Sequence, residues 1–429
     1  MMKIKVTRPF SGLKSDNWGN LFYFGIVVFY VIVFFSSFLH GFEVGDYLQY
    51  WVAGRIANEK GYSEVYSLSE LRNVQQQYSV ESNGREIENI ASFLKLPLGY
   101  LPVFIIPFQF LSRISVERGF IIWTILNLAL LVGYLKFFLL RTTPKDKTNP
   151  PDPKLLIPFL VSYAVFNNFY NGQVEVFVLI CAGEFIRQAT NKKSFLSGLW
   201  LGGLLLKPPL LILIIPIFII KRYWKVLMGF SASSIMILGT SLLLSGIDGM
   251  RALFNIWIKV TGAAATSRPE LMSNWRMVGI NFDQLFKVSF GWMILALGII
   301  LTMIAVFLLI RRIPPFGSSL WVITILGMFT ATLCVTWHSH YHMAMVMIPF
   351  LIYALVNNLL PKKFILSWGY VTPLVSLGTL VFETIFFALI KSNVGILNMK
   401  ILGFTGLIIN LVVLFSILQA VKVPSLIAK

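Results

Sequence analysis

Apolar stretches near the length of a bilayer span, about 20 residues, recur along the whole chain, and polar or proline-rich breaks separate them. They fall at 20–39, 118–140, 155–171, 173–189, 194–207, 208–220, 224–245, 289–310, 319–337, 343–358, 364–390 and 399–420. The pattern predicts an all-α integral membrane protein, a polytopic helical bundle of about twelve transmembrane helices. Two polar segments interrupt it, 40–117 and 246–288. Within the first, Tyr50–Asn58 and Ser69–Tyr78 read as short surface helices, with Ser67 or Ser69 capping the second. Residues 97–112 are apolar but short, and Pro97, Pro102 and Pro107 divide them. A run of that length lies in an interface more often than it spans, so it is expected as an interfacial helix.

Composition agrees with lipid as the main solvent. The chain is 57% hydrophobic and 13% charged, with a mean hydropathy of +0.77. A soluble domain carries about 25% charge. One polytopic membrane domain over 1–429 is expected, with no soluble domain of ordinary size. Cys181 and Cys334 both lie in apolar stretches and read as small hydrophobes.

The net charge of +18 raises the question of nucleic acid. No basic tract with interleaved aromatics supports that partner. Cytoplasmic loops of membrane proteins collect Lys and Arg, and this chain does so at Lys3–Lys14, Arg141–Lys154, Lys192-Lys193, Lys221–Lys225, Arg311-Arg312 and Lys362-Lys363. The topology that places these inside has residues 1–19 and the C-terminal tail in the cytoplasm and the two long polar segments outside. The first apolar run reads as an uncleaved signal anchor. Size and the absence of retention signals point to a prokaryotic plasma membrane.

Candidate chemistry gathers at the expected outer ends of the spans. Glu43 and Asp46 follow the first span directly, flanked by Tyr47, Tyr50 and Trp51. Asp46 suits an N-cap of the following helix; it also suits a general base, with the aromatics as sugar platforms. Lys207 lies about 14 residues into its stretch, roughly 21 Å of a ~30 Å core, beside Pro208-Pro209. A charge at that depth faces a cavity or a partner. It is expected either to pair with Glu175 or Glu383 or to anchor a phosphate oxygen. Asn171-Gly172-Gln173 breaks another helical pair, as a tight turn or as cavity lining. His338, His340 and His342 share one outer turn; a phosphate contact, a plain polar turn and a metal site all remain open there. Arg268 and Arg276, with Asn274 and Trp275, are further phosphate or sugar candidates. No phosphate-cradling glycine loop is present, which argues against a nucleotide-sugar or ATP site.

Several short motifs run in a recognisable order: Gly45-Asp46-Tyr47 with Tyr50-Trp51, Leu96–Pro102, Asn171-Gly172-Gln173-Val174, Gly198…Gly202 with Lys207-Pro208, Lys221–Trp224, and His338–Tyr341. In this the chain resembles the GT-C superfamily of membrane glycosyltransferases. More narrowly, it resembles glycosyltransferase family 87, the polyprenyl-phosphate-mannose-type alpha-mannosyltransferases of the cell envelope and related arabinosyltransferases. The resemblance implies a GT-C-type fold and a polyprenyl-phosphate-sugar donor used on the extracytoplasmic side. Its acceptor would be a lipid-linked or glycan hydroxyl. The resemblance makes Asp46 the base and His340, with His338 as rival, the donor-phosphate contact. It departs from the family pattern at Leu96-Pro97-Leu98 and at Glu175.

The sites expected on these grounds are catalytic Asp46; Lys207, His340, His338, Arg268 and Arg276 on the donor phosphate; and Glu43, Tyr47, Tyr50, Trp51, Asn171, Gln173 and Tyr341 on the sugar or acceptor. No cofactor is required, and a divalent metal is optional. Two other functions fit the same chain. A transporter or lipid-glycan flippase would couple through Lys207, Glu175 and Glu383, and a ligase or polymerase would move a whole lipid-linked glycan.

Overall fold

The computed structural model describes residues 24–32, 46–81, 99–144, 151–262, 268–390 and 396–422. Glu43 and residues 97–98 lie outside them. Every regular element among the described residues is helical. A short helix at 24–32 (α1) precedes Tyr47–Glu59 (α2) and Leu68–Glu81 (α3). The interfacial stretch forms a 3-10 turn, Pro102–Ile105, running into Ile106–Leu111 (α4). Then come Val116–Thr142 (α5), Tyr163–Tyr170 (α6), Glu175–Thr190 (α7), Ser194–Gly202 (α8), Ile214–Ile220 (α9) and Trp224–Gly262 (α10), which kinks at Gly246. The rest are Trp275–Phe286 (α11), Gly291–Arg311 (α12), Ser319–Val335 (α13), Ile348–Val356 (α14), Lys362–Ile390 (α15) and Ile396–Lys422 (α16).

Both surface helices of the first polar segment form, and each runs longer than its pattern predicts. Ser67 caps α3: its hydroxyl accepts from Glu70 N at 3.5 Å. Residues 102–111 are too short to span.

Among the described residues the apolar stretches do not all form full-length helices. Among the described residues five helices are long and apolar enough to cross a membrane: Val116–Thr142, Trp224–Ile258, Gly291–Arg311, Lys362–Phe382 and Leu397–Val421. The other apolar stretches are shorter or broken. Prolines are a physical cause. Pro153 and Pro158 divide the stretch before α6 into a 3-10 turn, a single α-turn and a bend. Pro208-Pro209 divides the stretch at Lys207 into 3-10 turns, Gly203–Leu206 and Pro208–Leu211. A 3-10 turn rises about 2.0 Å per residue against 1.5 Å in an α-helix, so such stretches reach further than their residue count suggests.

The helices form two layers. The long ones lie outside with apolar side chains exposed, such as Ile125, Leu243, Trp292 and Phe415. These face where lipid tails belong. Inside, α13 is buried at every residue from Trp321 to Cys334, and α7 and α14 are nearly so. Neighbouring helices are fastened by close backbone approach. At the α8–α10 crossing, a Cβ on Gly198 would meet the Val226 carbonyl and one on Gly229 would meet the Phe195 carbonyl. Small residues permit such contact between membrane helices.

Candidate active site

The site is built on the turn between α6 and α7. Gly172 has φ +62°, a left-handed conformation that favours glycine. A Cβ there would also lie 2.6 Å from Tyr47 Cβ and 2.9 Å from the Phe120 ring. The turn is clamped on both sides. Tyr47 N donates to Asn171 O at 3.1 Å, docking the start of α2 onto it. Trp123 Nε1 donates to Gly172 O at 2.9 Å. The Asn168 carboxamide oxygen accepts from Glu175 N at 3.1 Å, fixing the first residue of α7. Gln173 and Glu175 therefore project from a rigid base.

Asp46 immediately precedes α2, yet its side chain makes no cap hydrogen bond. Gln173 Nε2 donates to Asp46 Oδ2 instead. The other end of that amide, Oε1, accepts from the Tyr50 hydroxyl at 2.9 Å and from Lys207 Nζ at 3.3 Å. The Tyr50 hydroxyl also stands 3.1 Å from that of Tyr100, and Lys207 Nζ lies 5.0 Å from the Tyr100 ring centre. Capping is thus not the role of this carboxylate.

Lys207 sits at the break between two 3-10 turns, with φ −135° and ψ 74°. Its Nζ lies 3.0 Å from Glu175 Oε1, and His342 Nδ1 lies 2.8 Å from the same oxygen. The Glu175 side chain has no exposed surface. One of the two expected partners of Lys207 is therefore in place. The side chain of Glu383 lies outside the described residues.

Burial raises the Asp46 carboxyl above its ordinary 3.8. His342 and Lys207 pull it down, and Glu175 pushes it up again. Burial, reinforced by Lys207, His342 and Arg276, pushes His338 down to about 4. Burial, with His338, His342 and Lys207 adding to it, takes His340 well below 6.5. Both imidazoles are consequently neutral near pH 7. Each has one N–H to offer an anion, and no charge.

The remaining candidates divide into two groups. Arg276 is buried, stacks on Trp337 at 3.9 Å and donates to the Trp337 carbonyl at 3.2 Å. It stands close enough to His338 to act on its titration. The ring of His338 packs against His340 at 4.6 Å, and His340 against His342 at 5.8 Å. Tyr341 packs edge-on against Tyr163 and lines a small cavity with Ser273, Ser339, His340, Trp368 and Asn410. The hydroxyls of Ser273 and Ser339 are buried there with no hydrogen-bond partner among the described residues.

The second group, apart from the Tyr50 hydroxyl and Arg268, serves the scaffold. Tyr47 and Trp51 are buried, with Trp51 Nε1 donating to Ile114 O at 3.0 Å. The ring of Tyr50 is buried as well, so only its hydroxyl reaches the cluster. Asn171 donates to Asn167 O at 2.9 Å. Asn274 caps α11, and Trp275 Nε1 donates to Thr302 Oγ1 at 2.9 Å. Arg268 is exposed before the 3-10 turn Pro269–Leu271. Sequence reasoning passed over Tyr100 and left His342 behind its neighbours. His342 lies on the 3-10 turn leading into α14, and no spacing in the sequence sets it apart from its neighbours.

A helical membrane protein with a largely buried Asp–Gln–Lys–Glu–His cluster at its helix breaks is the class these features define. The chain belongs to glycosyltransferase family 87, whose model matches residues 98–336, and it is a membrane glycosyltransferase. The matched stretch includes Gln173, Glu175, Lys207 and Arg276; Asp46 and the histidine turn lie on either side of it. No curated protein and no solved structure matches the chain.

Proposed function

We propose that the protein transfers one sugar, a mannose-like hexose or a pentose, from a polyprenyl-phosphate donor to a hydroxyl of a lipid-linked or glycan acceptor. The reaction takes place at the extracytoplasmic face of a prokaryotic plasma membrane. In this reading both termini are cytoplasmic, and the broken apolar stretches complete a twelve-span, GT-C-type topology around the site. The observation that carries the proposal is the Asp46 carboxylate. It is held against Gln173, beside Lys207 and His342, and is not used as a helix cap.

The chemistry follows in one displacement. The acceptor oxygen attacks the anomeric carbon while its proton passes to an Asp46 carboxylate oxygen. The bond from the anomeric carbon to the phosphate oxygen breaks, and its electron pair leaves on the lipid phosphate. The configuration at the anomeric carbon inverts. Charge growing on the phosphate requires donors already in place. Arg276 and Lys207 supply cations, and His338 and His340 supply neutral N–H groups; Arg268 meets the donor further out. Glu43, Gln173, Tyr50 and Tyr341 border the sugar and acceptor. No step calls for a cofactor.

The buried Lys207–Glu175 pair also fits the coupling group of a transporter or flippase. The same experiment separates the readings. Membranes carrying wild type or Asp46→Asn are given polyprenyl-phosphate-linked radiolabelled sugar. Loss of transfer by at least about 100-fold in a folded Asp46→Asn is expected. Equal transfer in both removes Asp46 as the base, and no transfer in either with several donor sugars turns the reading to transport.

A further inference from the structure

Two carboxylates meet in this cluster, and they are treated differently. Glu175 is wholly buried, and both of its close partners, Lys207 Nζ and His342 Nδ1, stand on its Oε1. Asp46 has neither as a direct partner. Lys207 reaches it only through the Gln173 amide, whose oxygen takes the ammonium while its nitrogen serves the carboxylate.

We propose that Glu175 is a positioning residue of the transfer reaction: it holds Lys207 and His342 on its own carboxylate and so keeps Asp46 unpaired as the base. This rests on the reading of Asp46 given above. A carboxylate in direct contact with an ammonium is a weaker base, by about 1–3 pKa units, and its lone pairs are occupied. Lys207 would make that contact if nothing competed for it, because opposite charges attract strongly away from bulk water. Glu175 is the competitor, and its own helix start fixes it in place through Asn168.

The groups around Asp46 come from every neighbouring element. Tyr50 belongs to α2 and Tyr100 to the segment before α4. Gln173 and Glu175 come from the α6–α7 turn, Lys207 from the helix break, and His342 from the 3-10 turn before α14. Lys207 and His342 favour the charged form of Asp46, and Glu175 opposes it. His338, held down to about 4, and His340, held well below 6.5, stand on the same turn as His342 and are neutral near pH 7. Removing the Glu175 charge therefore tips the balance toward an ion-paired Asp46.

The test is the pH profile of sugar transfer from a polyprenyl-phosphate-sugar in wild type, Glu175→Gln and Glu175→Asp. Glu175→Gln is expected to move the acid limb about one unit to lower pH. Its plateau rate should fall by roughly 3- to 30-fold with KM for the acceptor little changed. Glu175→Asp, which keeps the charge, should restore the limb toward the wild-type position. A merely structural role would lower the amount of active protein and leave the limb where it is. An unmoved limb in Glu175→Gln, or a Glu175→Asp limb that follows Glu175→Gln, overturns the proposal. Should Glu175→Gln not fold, Lys207→Gln is measured instead. The limb then rises, and an unmoved limb again overturns the proposal. Asp46→Asn is run alongside: if it keeps transfer activity, the reading of the base fails. If Asp46→Asn is dead and the Glu175→Gln limb stays put, only the role of Glu175 fails.

Discussion

Helices α12 and α13 follow one another in the chain and are both strongly apolar, yet they live in different surroundings. On α12 only Gly291, Gly298, Thr302, Val306 and Leu309 are buried, whereas α13 is buried at every residue from Trp321 to Cys334. The first meets lipid on most of its circumference; the second meets protein on all of it. The difference shows in what each layer tolerates. The outer layer offers long unbroken helices and aliphatic side chains to a fluid solvent. The inner layer is short, kinked and close-packed, and the buried Glu175 and Glu184 and the half-buried Lys207 belong to its elements. Irregular backbone at membrane depth persists where protein or a cavity satisfies it. In this molecule the breaks at Gly172 and Lys207 are what present Gln173 and the ammonium to Asp46.

Substitutions sharpen this contrast. The largest effect on stability is expected from Lys207→Met. It leaves the buried Glu175 with His342 as its one remaining close partner, and breaking a buried pair costs about 3–5 kcal/mol. Thermal unfolding in detergent would read it, and a loss below about 1 kcal/mol would show the pair to be wet and loosely held. A matched tryptophan pair comes next. Trp321→Ala, in the fully buried layer, should cost about 3–5 kcal/mol through lost packing. Trp292→Ala, on the exposed face of α12, should cost less than about 1 kcal/mol in the same assay. Equal losses would erase the distinction between the layers.

Gly172→Ala tests the turn. The left-handed conformation alone costs an alanine about 1–2 kcal/mol, and the new methyl presses on Tyr47 and Phe120. Transfer should fall further than stability does, because the displaced turn carries Gln173; parallel losses would mean the turn is only scaffold. The smallest effect is one of pH. Burial raises Asp46 above 3.8, and a base works only when ionised. Activity is therefore full above the raised value and lost as pH falls through it. The acid limb of wild-type transfer should lie above the range of an exposed aspartate, and a limb within that range would contradict the desolvation of this group.

Local chemistry in the chain made part of this legible. Lys207 could be placed at a helix break because a charge and two prolines stand together in an apolar run. Asn171-Gly172-Gln173 was visible as a turn for a similar reason. What the sequence hid lies in pairings between distant segments. Asp46 has the form of an N-cap, and only the approach of α6–α7 shows that its side chain turns to Gln173. His342 could not be told from His338 and His340 by spacing; its partner Glu175 singles it out. Which apolar stretches form full-length helices was hidden for a different reason. Hydropathy measures how apolar a stretch is, and α13 is as apolar as a lipid-facing helix while touching no lipid. A 3-10 turn inside an apolar run leaves no mark on hydropathy either.

The Gln173 amide has a consequence of its own. Its oxygen faces two donors, Tyr50 and Lys207, and its nitrogen faces a carboxylate. Turning it end for end would set like against like on both sides. Its orientation is therefore dictated by its neighbours, and the side chain works as a polarised spacer between an acid and an ammonium that would otherwise close on each other. Neither an ionised glutamate nor a lysine has two ends of opposite polarity, so neither would serve both neighbours. For anyone redesigning this enzyme, position 173 is where the distance between Asp46 and Lys207 is set, and a longer or shorter dipole at that point is the dial by which it would be changed.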